Sequence, residues 1–255
     1  MELTESQVLT WLGHFLWPFL RITGLFITAP LFGSTYIPAA VKALTAASLA
    51  LSLALWLPDL PPFPGDPISA IYQGITQIIY GGVLGLTMQI IVSAVAGAGE
   101  IAGLSIGLGF AELQFREATT PTPILYDIMY WAGTIAFIAT GGPIMLFAGL
   151  AHSFQSGAMI TSLDSWNALT TLGSNFMTAA VWLAMPVLAV AMAINITVGL
   201  TTIFAPQMNL LTIGFPILIL AGLWILASSI PFMGRDFHQL MAMGLHALVA
   251  ISKNG

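Results

Sequence analysis

Long apolar runs make up most of this chain, separated by short polar or proline-rich breaks. Crossing a hydrocarbon core as a helix takes about 20 apolar residues. Runs of that order fall at 12–32, 39–57, 71–96, 124–150, 178–205 and 210–232. The pattern predicts six long apolar helices, and it lacks the short alternating period of a membrane β-barrel. A rigid turn is expected at 58–67 (PDLPPFPGDP), which no helix can cross, and residues 33–38 end the first run. Asp164-Ser165-Trp166-Asn167 reads as a polar connection with Ser or Asp placed to cap the next helix. Ala205-Pro206-Gln207-Met208-Asn209 reads as a tight turn that makes the last two runs a hairpin. After Pro231, apolar residues at 237, 240, 241, 245, 248 and 249 leave His238, Gln239 and His246 on other faces. That spacing predicts an amphipathic terminal helix. The expected fold is all-α, a polytopic membrane-associated protein of kinked helical hairpins.

Composition agrees. Only 6% of the 255 residues are charged, against about 25% in an ordinary soluble domain. A run of 70 residues between Asp164 and Arg235 carries no charge at all. A soluble fold of this length has no means of covering its surface with so few ionised groups, so lipid, or an assembly standing in for lipid, must be part of its solvent. With five Lys and Arg there is no patch to hold nucleic acid. The absence of cysteine removes disulfides, thiolate metal sites and cysteine nucleophiles. His14, His152, His238 and His246 are scattered, and no nucleophile–base order or phosphate-binding glycine loop is visible. No catalytic residue, metal or cofactor is expected. The acidic start, Glu2 and Glu5, argues against a cleaved signal peptide. Loop charges do not orient the chain: Lys42 and Arg116 fall on one side of a six-pass arrangement, Arg235 and Lys253 on the other.

Several features ask for a protein neighbour. Pro18, Pro143, Pro186 and Pro216 lie in apolar runs and predict bent helices. Gly81 and Gly85, and Gly99, Gly103 and Gly107, recur every four residues, a spacing that lets helix backbones approach closely, within this chain or against other subunits. Gln73, Thr76, Gln77, Tyr80 and Thr87 form a polar stripe that must meet protein or water rather than lipid. Glu100 and Asp127 are candidate intramembrane charges, as proton relays or charge partners, though Glu100 equally suits a helix start. The segment 99–123 (GEIAGLSIGLGFAELQFREATTPTP) is too glycine-rich in its first half to predict a helix. It reads either as a re-entrant turn or as a flexible apolar loop that blocks a pore, with Phe110, Leu113 and Phe115 excluding water.

The run from Gly99 and the pairing of Ala205-Pro-Gln-Met-Asn with Ile213-Gly-Phe-Pro216 resemble the FliR family, the R subunits of the bacterial flagellar export gate. Trp17-Pro18, Arg21, Thr28-Ala29-Pro30 and Val41-Lys42 fit the same resemblance, which runs essentially from end to end. It implies a subunit without catalysis, packed with P and Q subunits and wrapped by the B subunit in a helical hetero-oligomer at the bacterial inner membrane. That assembly is the closed gate through which unfolded flagellar proteins pass. The resemblance further implies a P-like portion over 1–166, a Q-like hairpin and terminal helix over 167–255, and a pore plug in the loop 103–122. Within that loop Phe110, Ala111, Glu112, Leu113, Gln114 and Phe115 would block the pore, with Gly99, Gly103, Gly107 and Gly109 allowing movement and packing. Pro206, Gln207, Asn209, Gly214 and Pro216 would shape the hairpin turn. The sequence departs from a common family pattern after the plug, with Arg116-Glu117-Ala118 where Asp-Pro often follows. The equivalent subunit of a virulence injectisome, and a small-molecule secondary transporter, are the alternatives; the latter predicts a repeated, charge-lined midplane site that the sequence does not display.

Overall fold

A computed structural model describes residues 4–34, 36–57, 60–108, 123–155, 163–204 and 214–253. Among the described residues there are seven α-helices and no strand. They are α1 (Glu5–Thr28), α2 (Ala39–Trp56), α3 (Pro67–Ser105), α4 (Ile124–Ala139), α5 (Gly142–Gln155), α6 (Leu163–Phe204) and α7 (Phe215–Lys253).

The proline-rich turn ends and starts helices where expected. Asp66 caps α3: its Oδ2 accepts from the Ser69 backbone N–H at 3.0 Å and from the Ser69 hydroxyl at 2.9 Å. Pro67 follows at the first helical position, where a missing N–H costs nothing. Pro143 and Pro216 are likewise second residues of α5 and α7, so they open helices rather than bend them. Pro18 and Pro186 do lie inside α1 and α6, where each removes a helical hydrogen bond.

Four expectations are corrected. Glycine-rich residues 99–105 are helical, as the last turns of α3. Each glycine costs a helix up to about 1 kcal/mol against alanine, but here the bare backbone admits α4. A β-carbon on Gly99 would lie 2.5 Å from the Leu125 carbonyl oxygen and 2.6 Å from Met129 Cγ. Glu100 therefore sits near the end of a helix, not at its start. Asp164 to Asn167 lie in the first turns of α6 rather than before it, with the acid where the helix dipole favours negative charge. The terminal amphipathic segment continues α7 without a break after Pro231. Its sidedness is as predicted, with Phe237 and Met241 buried and His238, Gln239 and His246 exposed.

Among the described residues three helical stretches are long and apolar enough to cross a membrane, Ala39–Trp56, Pro67–Ser105 and Gly173–Thr201, or four if the bent pair α4 and α5 counts as one span. Gly141, at φ +78°, interrupts the apolar run at 124–150, where α4 and α5 are bent by 64°.

The chain forms two compact units. The first comprises Met1–Ile90, Ile138–Leu172 and Met241–Gly255. In it α1 packs against α2, α3 and α5, and Trp17, Ile22, Leu25, Tyr80, Leu84 and Leu150 are buried. The proline-rich turn lies across α1 at Gly13, whose β-carbon would be 2.6 Å from the Pro61 carbonyl oxygen. Trp17 Nε1 donates to that same oxygen at 2.9 Å and the indole stacks on Phe63. The second unit comprises Ile91–Phe137 and Gly173–Leu240. There Gly133 of α4 faces Val92 and Val95 of α3, and Gly97 of α3 meets Ala180 of α6. Gly222 of α7 presses against Ile106.

Candidate functional site

Two members of the polar stripe on α3, Gln77 and Tyr80, face protein, and the group they face is a cation. Arg21, on the inward side of α1, is only 5% exposed. Its Nε donates to Gln77 Oε1 at 2.7 Å and its Nη1 to Ser153 Oγ of α5 at 2.7 Å. Its guanidinium carbon lies 4.5 Å from the centre of the Tyr80 ring and 3.9 Å from that of Phe154. The Ser153 hydroxyl in turn donates to the Leu150 carbonyl at 2.6 Å, which holds it in place as an acceptor for Arg21. Thr87, further along the stripe, is buried and donates to the Leu84 carbonyl.

The arrangement depends on close backbones. Gly24 of α1 lies under the Ile78 carbonyl of α3, Gly81 under the Arg21 carbonyl, and Gly85 against Thr28 and the Leu25 carbonyl. Thr28 Oγ1 donates 2.7 Å across to the Gly82 carbonyl. The Gly81–Gly85 ladder is thus spent on packing within the chain, bringing α3 near enough for Gln77 and Tyr80 to reach Arg21. Beyond the clasp, Phe147 of α5 meets Phe26 and Phe32 edge-on, ring centres 6.2 and 6.4 Å apart.

The energetics favour specificity over bulk stability. Two hydrogen bonds from a charged donor contribute about 1.5–3 kcal/mol each, and each ring about 0.5–2 kcal/mol. Together they roughly offset the several kcal/mol needed to take a guanidinium out of water. Removing one partner would leave the charge buried and uncompensated, so three helices are tied to one register.

Sequence reasoning singled out Gln77 and Tyr80 but not the group they serve. Ser153 and Phe154 carried no signal, because they reach Arg21 from 132 and 133 positions further along the chain. Of the other candidates, Glu100 is half-buried on α3, and Asp127 is exposed in the first turn of α4. Gly103 is buried against Leu125, and Gly107 adopts φ +83° just after α3. Gly214 is buried, and Pro216 is exposed at the start of α7. Gly109, the plug residues 110–115, and Pro206, Gln207 and Asn209 lie outside the described residues. Among the described residues no group of three or more His, Asp or Glu is placed to hold a metal ion.

Residues 12–244 match the family model of bacterial export proteins, family 1. The chain is 32% identical over 247 residues to the flagellar biosynthetic protein FliR of Escherichia coli (strain K12), covering 95% of this chain and 94% of that protein. It is 29% identical to FliR of Pectobacterium carotovorum subsp. carotovorum, covering 88% and 87% of the two chains. FliR of Aquifex aeolicus (strain VF5) is 26% identical, with 84% and 83% covered. With a match that spans nearly its whole length, the chain belongs to the bacterial export proteins, family 1.

Proposed function

We propose that this chain is the R-type subunit of the flagellar type III export gate, forming part of the closed pore through which unfolded flagellar subunits cross the inner membrane. The observation that carries the reading is its similarity to flagellar FliR proteins over almost the full length of both chains. It is a membrane-associated component of the flagellar export apparatus, and it works without catalysis of its own. P- and Q-type subunits pack around it and the B subunit encloses the complex. Residues 1–166 act as the P-like portion and 167–255 as the Q-like portion, with 110–115 as the plug. Exposed apolar side chains along α2 and α6, such as Leu44, Leu55, Trp182 and Met192, suit burial by lipid or by those neighbours. The flagellar names of the relatives favour this reading over an injectisome subunit.

Mild solubilisation followed by mass spectrometry tests it. Co-purification of P- and Q-type subunits, with loss of motility on deletion of the gene, is expected. A stable monomer that transports a small solute, in cells that swim normally without it, would overturn the reading.

A further inference from the structure

A guanidinium carries five N–H donors. Arg21 gives the one on Nε to Gln77 and one on Nη1 to Ser153, which leaves three, one on Nη1 and both on Nη2. Among the described residues every fully buried side-chain nitrogen and oxygen has a hydrogen-bond partner. Nη2 has no acceptor among the described residues, so it is not fully buried and keeps some accessible surface even though the residue is only 5% exposed. Among the described residues nothing that touches the group is an anion: its neighbours are an amide oxygen, a hydroxyl and two rings. The described residues therefore hold the positive charge without neutralising it, on helices whose other charges are few and distant in sequence. Buried charges are ordinarily paired, and a guanidinium with an unspent N–H on each terminal nitrogen matches a carboxylate, two donors to two oxygens.

We propose that the open edge of Arg21 receives an aspartate or glutamate side chain from another polypeptide packed against α1, α3 and α5. A guanidinium only 5% exposed is reached by a carboxylate on a thin side chain more readily than by a lipid phosphate flanked by its ester arms. Gln77, Ser153, Tyr80 and Phe154 act as positioning residues, fixing the guanidinium before the partner arrives. The carboxylate then supplies the neutralising charge that the described residues do not bring to it. This rests on the reading that the chain works among other subunits.

The test uses the complex with co-expressed P- and Q-type subunits. Arg21→Lys keeps the charge and introduces an amine. Treatment with an apolar carbodiimide should join that amine to a partner Asp or Glu as an amide, located by peptide mass spectrometry and absent from the wild type. Arg21→Gln should lower the partner recovered per copy of this chain by about tenfold or more, while Arg21→Lys retains most of it. An intact Arg21→Lys complex with no link to a partner acid overturns the proposal, as does undiminished partner recovery with Arg21→Gln. So does an anionic phospholipid that the wild type retains and Arg21→Gln loses, which would assign the edge to a headgroup. A wild-type chain recovered without other subunits is a separate failure, that of the gate reading itself.

Discussion

A β-carbon on Gly81 would overlap the carbonyl oxygen of Arg21 and lie 2.8 Å from its carbonyl carbon. Two helix backbones touch there, directly beneath the clasp, and neither can yield by rotating a side chain. Gly82, the next residue, has its nearest such contacts at 3.7 and 3.8 Å, ordinary van der Waals distances. Gly81→Ala should therefore force α1 from α3 and destabilise the chain by about 1–3 kcal/mol or more, whereas Gly82→Ala should be near neutral. Thermal unfolding in detergent, followed by circular dichroism, checks the pair; equal effects would contradict the close approach.

Gly173 lies inside α6 with nothing within 4 Å of where its β-carbon would be. Gly173→Ala should stabilise the isolated chain by about 0.5–1 kcal/mol, because alanine lowers the conformational entropy lost on forming the helix. A small rise in midpoint temperature in the same assay is the expected result, and a fall would show that the space is occupied.

The carboxyl of Asp66, just before α3, is held below its usual range first by the Ser69 backbone N–H and then by the Ser69 hydroxyl. A depressed folded-state value means the cap's charge-dependent contribution is present above the unfolded pKa of about 3.9. It is lost as pH falls through the folded value. Protection of the Ser69 amide from hydrogen exchange should drop on acidification below about pH 4. Asp66→Asn keeps a capping oxygen and should remove that pH dependence, whereas Asp66→Ala should lower protection at every pH.

Removing Phe110 to Phe115 bears on the proposed plug. The expected outcome is a complex that still co-purifies but leaks ions, read as a collapse of membrane potential in dye-loaded cells. A normally assembled complex with unchanged permeability would place the barrier elsewhere.

What the residues determine alone is whatever depends on local chemistry. Charge poverty and long apolar runs dictate membrane helices, Asp66-Pro67 dictates where α3 begins, and the face shared by Gln77 and Tyr80 requires a polar neighbour. Family membership was legible for the same reason, since it rests on the order of residues. Tertiary structure decided what depends on distant segments meeting. Helix α3 runs on through Gly99 and Gly103 because close packing against Leu125 and Met129 outweighs their poor propensity. The neighbour of the stripe proved to be Arg21, brought to Gln77 across 56 residues and to Ser153 across 132. Periodicity within one helix reports which face is polar, but carries no information about which residue of another helix will meet it.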